Sequence, residues 1–132
     1  MKELEILDYK GEGYFSPYSF EGWKVAFLNH AERFTSQGIA YLERHKETDE
    51  VFVLLSGQAT LLIGAEIPEE KTSHSVPVQV HKNEMEPGQL YIVKKNAWHN
   101  IMVSEDAKVL IVENADTCRE NTEYMEYKSS LP

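Results

Sequence analysis

An all-β domain is what this sequence predicts, and three observations carry that reading. Short runs rich in β-branched and aromatic residues alternate with a period of two along most of the chain. Turn signals separate them at close intervals, as at Ser56-Gly57, which splits two apolar runs by two residues, and at Glu86-Pro87-Gly88. No run is long enough for an ordinary helix.

Eight strands follow in order. Trp23 to Asn29 (WKVAFLN) and Ile39 to His45 come first, separated by the only segment that reads as a helical turn, Asn29 to Phe34. Val51 to Leu55 and Gln58 to Gly64 flank the Ser56-Gly57 turn. The polar segment Ala65 to Ser75 (AEIPEEKTSHS) reads as a surface loop, and Pro77 puts Val76 to Val80 at a sheet edge or a strand start. Gln89 to Val93, His99 to Val103 and Lys108 to Glu113 complete the set. Eight short strands at this spacing point to a sandwich or barrel of the jelly-roll type. The polar tail after Glu113, with Tyr124 and Tyr127, is expected to pack in part on a partner or on the barrel exterior.

Length and charge restrict what such a domain can be. At 132 residues the chain is expected to form one domain, 1–132. Its formal charge is −9, with 22 acidic against 13 basic residues, so nucleic acid and anionic membrane surfaces would repel it. Cys118 is the single cysteine, which leaves no disulfide within the chain and fits a reducing, cytoplasmic setting. The N-terminus lacks the pattern of a secretory signal, and the longest apolar stretch, Val51 to Leu55, is far too short to span a bilayer. Gly-x-Ser-x-Gly and P-loop motifs are absent, and no motif surrounds Cys118 as a nucleophile.

Chemistry concentrates in two segments, ERHKETDEVFVLLSG from Glu43 to Gly57 and PGQLYIVKKNAWH from Pro87 to His99. With a period of two, Tyr41, Glu43 and His45 share one face of their strand, and Glu50, Phe52 and Leu54 share one face of the next. If these faces point inward and a hairpin brings Glu50 alongside, three potential ligands converge and His99 completes the set. Tyr41, Phe52 and Trp98 are placed as pocket lining, although aromatic residues in a small barrel are commonly core. The plainer readings stand beside these. His30, His74 and His81 read as structural or surface histidines, Glu47 and Asp49 as solvated turn residues, and Glu43 has an alternative as the exposed partner of a lysine.

These residues resemble the cupin superfamily. Its first motif runs His-x-His, three or four residues, Glu, six residues, Gly; His45, Glu50 and Gly57 match, and Glu43 replaces the first histidine. In the second motif Gly88 and His99 match, while Lys94, Asn96 and Val103 stand where Pro, Gly and Asn are expected. The similarity covers roughly 23–114 and implies a double-stranded β-helix, a jelly-roll barrel. It also implies a metal set of Glu43, His45, Glu50 and His99, and a homodimer using edge strands. Imidazole with carboxylate suits Mn, Fe, Zn or Ni, and the extra carboxylate shifts preference toward Mn or Fe. The resulting expectation is a metal-dependent enzyme acting on a small polar metabolite, with Glu43 and Glu50 as catalytic groups. Two alternatives stay open: a metal-free acid/base isomerase or lyase, and a non-catalytic small-molecule-binding cupin.

Overall fold

Ten strands make two antiparallel five-stranded sheets in a computed structural model that describes residues 2–66 and 78–128. In chain order they are β1 (Tyr14–Phe20), β2 (Trp23–Asn29), β3 (Tyr41–His45), β4 (Glu50–Ser56), β5 (Ala59–Glu66), β6 (Val78–Glu84), β7 (Tyr91–Val93), β8 (Trp98–Val103), β9 (Lys108–Asn114) and β10 (Thr122–Glu126). The first sheet is ordered β1-β2-β9-β4-β7 and the second β10-β3-β8-β5-β6. All eight expected strands are present. The expected helical turn is a short 3-10 turn at Glu32–Phe34. Ala65 and Glu66 extend β5 rather than opening a loop. The remainder of that segment, with His74 and Pro77, lies outside the described residues.

Alternation explains the core. Ala26 and Leu28 on β2, Phe52 and Leu54 on β4, Ala59 and Leu61 on β5, Ile101 and Val103 on β8, and Val109 and Ile111 on β9 all turn between the sheets and are buried. Each large apolar side chain so buried stabilises the fold by about 1.5–3 kcal/mol over its exposed state. Beyond the second sheet, Ile39, Leu42, Leu62 and Trp98 form a separate cluster, covered by Met102, Met125 and Tyr127. The outer face of the first sheet is apolar too. Ile92, Val51, Val112 and Val25 lie in register across it, as do Val53, Leu110 and Phe27.

Two strands are additional to the expected set. β1 escapes a period-two reading because its pairing with β2 shifts register between Phe15 and Tyr18. β10 lies in the polar tail, where it pairs with β3 from Thr122↔His45 to Glu126↔Tyr41. The tail thus packs on the barrel as a sheet member. One expected connection is corrected: β3 and β4 do not form a hairpin but belong to opposite sheets. The chain crosses the barrel between them, so Glu50 faces His45 across the lumen.

Two turns have backbone demands that the residue types meet. Gly57 has φ +72, and a Cβ there would lie 2.6 Å from the Cα of Ala107, so a side chain is excluded on both counts. Asn96 stands where the second cupin motif has glycine and keeps the left-handed conformation, φ 69, which asparagine tolerates. Its amide donates to the His45 carbonyl at 2.8 Å, tying the β7–β8 turn to β3. Among the described residues no helix is long and apolar enough to cross a membrane.

Candidate metal centre and its pocket

Strand alternation delivers four ligand-type side chains to one place from both sheets. Glu43 and His45 come from β3, His99 from the neighbouring β8, where Glu43 is its register partner, and Glu50 from β4 across the lumen. One ligand atom from each of the four lies within 4.8 Å of all the others. Glu50 Oε1 is 3.0 Å from His45 Nε2 and 2.9 Å from His99 Nε2. Glu43 Oε2 stands 3.4 Å from His45 Nε2 and 3.9 Å from His99 Nε2, and no lysine pairs with it among the described residues.

The far nitrogen of each imidazole determines what the near one presents. Thr122 gives its hydroxyl hydrogen to the Cys118 carbonyl at 2.7 Å, so its oxygen accepts from His45 Nδ1 at 3.0 Å. The Ala97 carbonyl can only accept, and His99 Nδ1 donates to it at 2.9 Å. Both rings therefore carry a hydrogen on Nδ1 and turn Nε2 into the cavity, which is the tautomer a metal ligand needs. His45 Nε2 is buried and has no well-directed hydrogen bond, its neighbours being carboxylate oxygens. A buried nitrogen of this kind, two imidazoles in ligand tautomer and two carboxylates form a donor set that fits a divalent cation.

Without a cation, protons balance the charge. Burial works against a charged His45, but the Glu43 and Glu50 carboxylates outweigh it and raise its pKa to about 10. His99 is raised in the same way, burial being overcome chiefly by Glu50. Burial of Glu50 is outweighed in turn by the two imidazoles, and its pKa falls to about 2.

A third carboxylate was not picked out from the sequence. Glu113, on β9, is buried and its Oε1 is 3.8 Å from His45 Nε2, without a hydrogen-bond partner. Its Oε2 accepts from the Tyr14 hydroxyl. Burial, reinforced by the Glu50 charge, raises the Glu113 pKa to about 7. A signal for it existed, since Val109, Ile111 and Glu113 alternate and put a charge at a core position.

The surrounding cavity holds about 530 Å³. Tyr41 and Phe52 line it as expected from the sequence. Trp98 is a correction: with His99 turned inward, its neighbour must turn outward, and Trp98 packs in the outer cluster under the Arg44 guanidinium, 4.4 Å from the ring centre. Asp49 is an exposed turn residue whose Oδ1 accepts from the Lys95 amide at 2.8 Å, and His30 and His81 lie outside the site. Lys24, Arg33, Arg119 and Tyr124 also line the cavity, none of them singled out by motif or periodicity.

No protein-family profile matches the chain, and no curated protein matches it in sequence. Solved structures do. A cupin-2 domain protein from Shewanella frigidimarina has 16% identity and a TM-score of 0.53, over 80% of this chain and 84% of that one. Pac13 from Streptomyces, a nucleoside dehydratase, has 9% identity and a TM-score of 0.62, over 92% of this chain and 85% of that one. The 3,4-ketoisomerase QdtA from Thermoanaerobacterium thermosaccharolyticum, solved with TDP-4-keto-6-deoxyglucose, has 14% identity and a TM-score of 0.52, over 75% of this chain and 63% of that one. At such identities the likeness is one of fold, and together with the two rolled sheets it establishes that this chain has the fold of the cupin superfamily.

Proposed function

We propose that this protein is a metal-dependent enzyme that moves a proton on a small polar metabolite. The observation that carries the reading is the convergence of two imidazole Nε2 atoms, each held in ligand tautomer from behind, on two carboxylates. Glu43, His45, Glu50 and His99 would hold the ion. When bound, it supplies a Lewis acid that polarises a carbonyl or hydroxyl oxygen of the substrate.

The rest of the chemistry belongs to the chain. Glu113 presents an unpartnered oxygen beside the metal-ligand set and accepts a hydrogen bond from the Tyr14 hydroxyl on its other oxygen. It is placed to take a proton from one substrate carbon or oxygen and return it to another. Phe52, Ile101 and Ile111 supply apolar wall to the same cavity. Isomerisation and elimination of water both need this one acid/base group beside a polarised oxygen. Proteins of similar fold include a dehydratase and a ketoisomerase.

Elemental analysis of untagged protein, with His45→Ala and His99→Ala as comparisons, tests the reading. Stoichiometric Mn, Fe, Zn or Ni that both variants lose supports it. A metal content that is zero after incubation with all four ions refutes it and leaves the metal-free acid/base reading, in which Glu113 and the paired imidazoles act alone. A homodimer is proposed as well, through the apolar outer face of the first sheet rather than through a strand edge, because Leu55 and Ile92 there remain about half exposed. Sedimentation at micromolar concentration showing a monomer would exclude it.

A further inference from the structure

The cavity is acidic at its floor and cationic at its mouth. Glu43, Glu50 and Glu113 supply the floor, whereas Lys24, Arg33 and Arg119 are the basic residues that line the cavity. Arg33 and Arg119 are exposed and form no ion pair or hydrogen bond among the described residues, in a chain where Arg44 pairs with Glu123 and Lys108 with Asp8. Among the described residues, these two guanidiniums are thus unpaired in the lining of one cavity.

Their positions are set by packing. The Arg33 guanidinium lies 4.7 Å from the centre of the buried Phe34 ring, and the Gly13 backbone approaches it so closely that a Cβ on Gly13 would come within 3.3 Å of its terminal nitrogen. Arg119 lies 5.9 Å from the Tyr124 ring centre, and Tyr124 packs edge-on against Tyr41 at 5.2 Å. The two cations, contributed by the turn after β2 and the turn before β10, thus line one cavity together with Tyr41 and Tyr124.

We propose that Arg33 and Arg119 form an oxyanion subsite, and that the substrate is a polyhydroxylated metabolite ending in a phosphate or carboxylate. This rests on the reading of the floor as the reacting centre and specifies what that centre acts on. The planar fork of arginine matches either oxyanion with two parallel hydrogen bonds. Tyr41 and Tyr124 offer faces for a sugar ring or a base between mouth and floor. A cavity of about 530 Å³ lies within the ordinary range for small-molecule sites.

Calorimetry with matched probes tests the assignment. UMP against uridine and ribose 5-phosphate against ribose probe phosphate; glucuronate against glucose probes carboxylate; inorganic phosphate is titrated alone. At least one charged probe is expected to bind about tenfold or more tighter than its neutral partner, since a charge-assisted hydrogen bond is worth roughly 1.5–3 kcal/mol. The pair with the larger preference identifies the oxyanion. Arg33→Gln and Arg119→Gln should each remove most of that preference, and Arg119→Lys should keep part of it. Equal binding of charged and neutral partners, absence of binding by every anionic probe, or a preference unchanged in both Gln variants would overturn the subsite. Metal uptake is measured on the same preparations, so failure of the anion subsite and failure of the metal centre give different results.

Discussion

Metal binding at this site should be a proton-release reaction, and the number of protons can be worked out from the side chains present. The perturbation is titration of metal-free protein with Zn or Mn at successive pH values. His45 titrates at about 10 in the metal-free protein and so carries a proton near neutrality, His99 is raised in the same direction, and Glu50, lowered to about 2, carries none. At pH 7.5 only about 0.3% of His45 is in the neutral form that a metal needs. Each metal ion must therefore expel a proton from His45, and a second from His99 wherever that ring is protonated. The apparent affinity should rise about tenfold per pH unit for each proton displaced, hence up to about a hundredfold per unit while both rings titrate. Glu113, raised to about 7, contributes a further fractional proton below that pH, because a neighbouring dication favours its ionised form. Calorimetry in buffers of different ionisation enthalpy counts these protons directly, and at least one per metal is expected at pH 7.5. Tight binding with no proton release and no pH dependence would show that the metal does not contact the imidazoles, and the proposed centre would fall.

Three further outcomes follow from the same geometry. Glu50→Gln removes the carboxylate shared by both rings, so the His45 titration should fall from about 10 in a histidine NMR titration while Glu43 still holds it up, and metal affinity should drop at least a hundredfold. Thr122→Val removes the acceptor behind His45 Nδ1, and about 10–100-fold of metal affinity should be lost with little change in melting temperature. Leu42→Ala, at a fully buried position in the outer cluster, should cost about 2–5 kcal/mol in denaturant unfolding while leaving the metal ligands in place.

Much of the barrel was legible because β2, β4 and β9 alternate cleanly, and the same alternation put Glu43 with His45 and Glu50 with Phe52 on inward faces. Two further side chains obey the same rule. Carried one residue back from His99 it turns Trp98 outward, and carried two residues on from Ile111 it turns Glu113 inward. Strand pairing was less accessible. Nothing in the short link between His45 and Glu50 shows that the chain changes sheets there, because pairing is decided by contacts distant in sequence. Arg33 and Arg119 sit on 3-10 turns, where no periodicity applies, so only the folded arrangement reveals that they share an opening.

Among the described residues strand β10 pairs with β3 alone, yet Thr122 braces an imidazole and Tyr124 lines the cavity. An outermost strand with a single ladder belongs to the part of a fold that detaches most readily. Whatever settles in the lumen therefore also fastens this last ribbon, and a cut anywhere before Thr122 would release the brace and the entrance wall together. Hydrogen exchange along those five residues is accordingly a gauge of how full the barrel is.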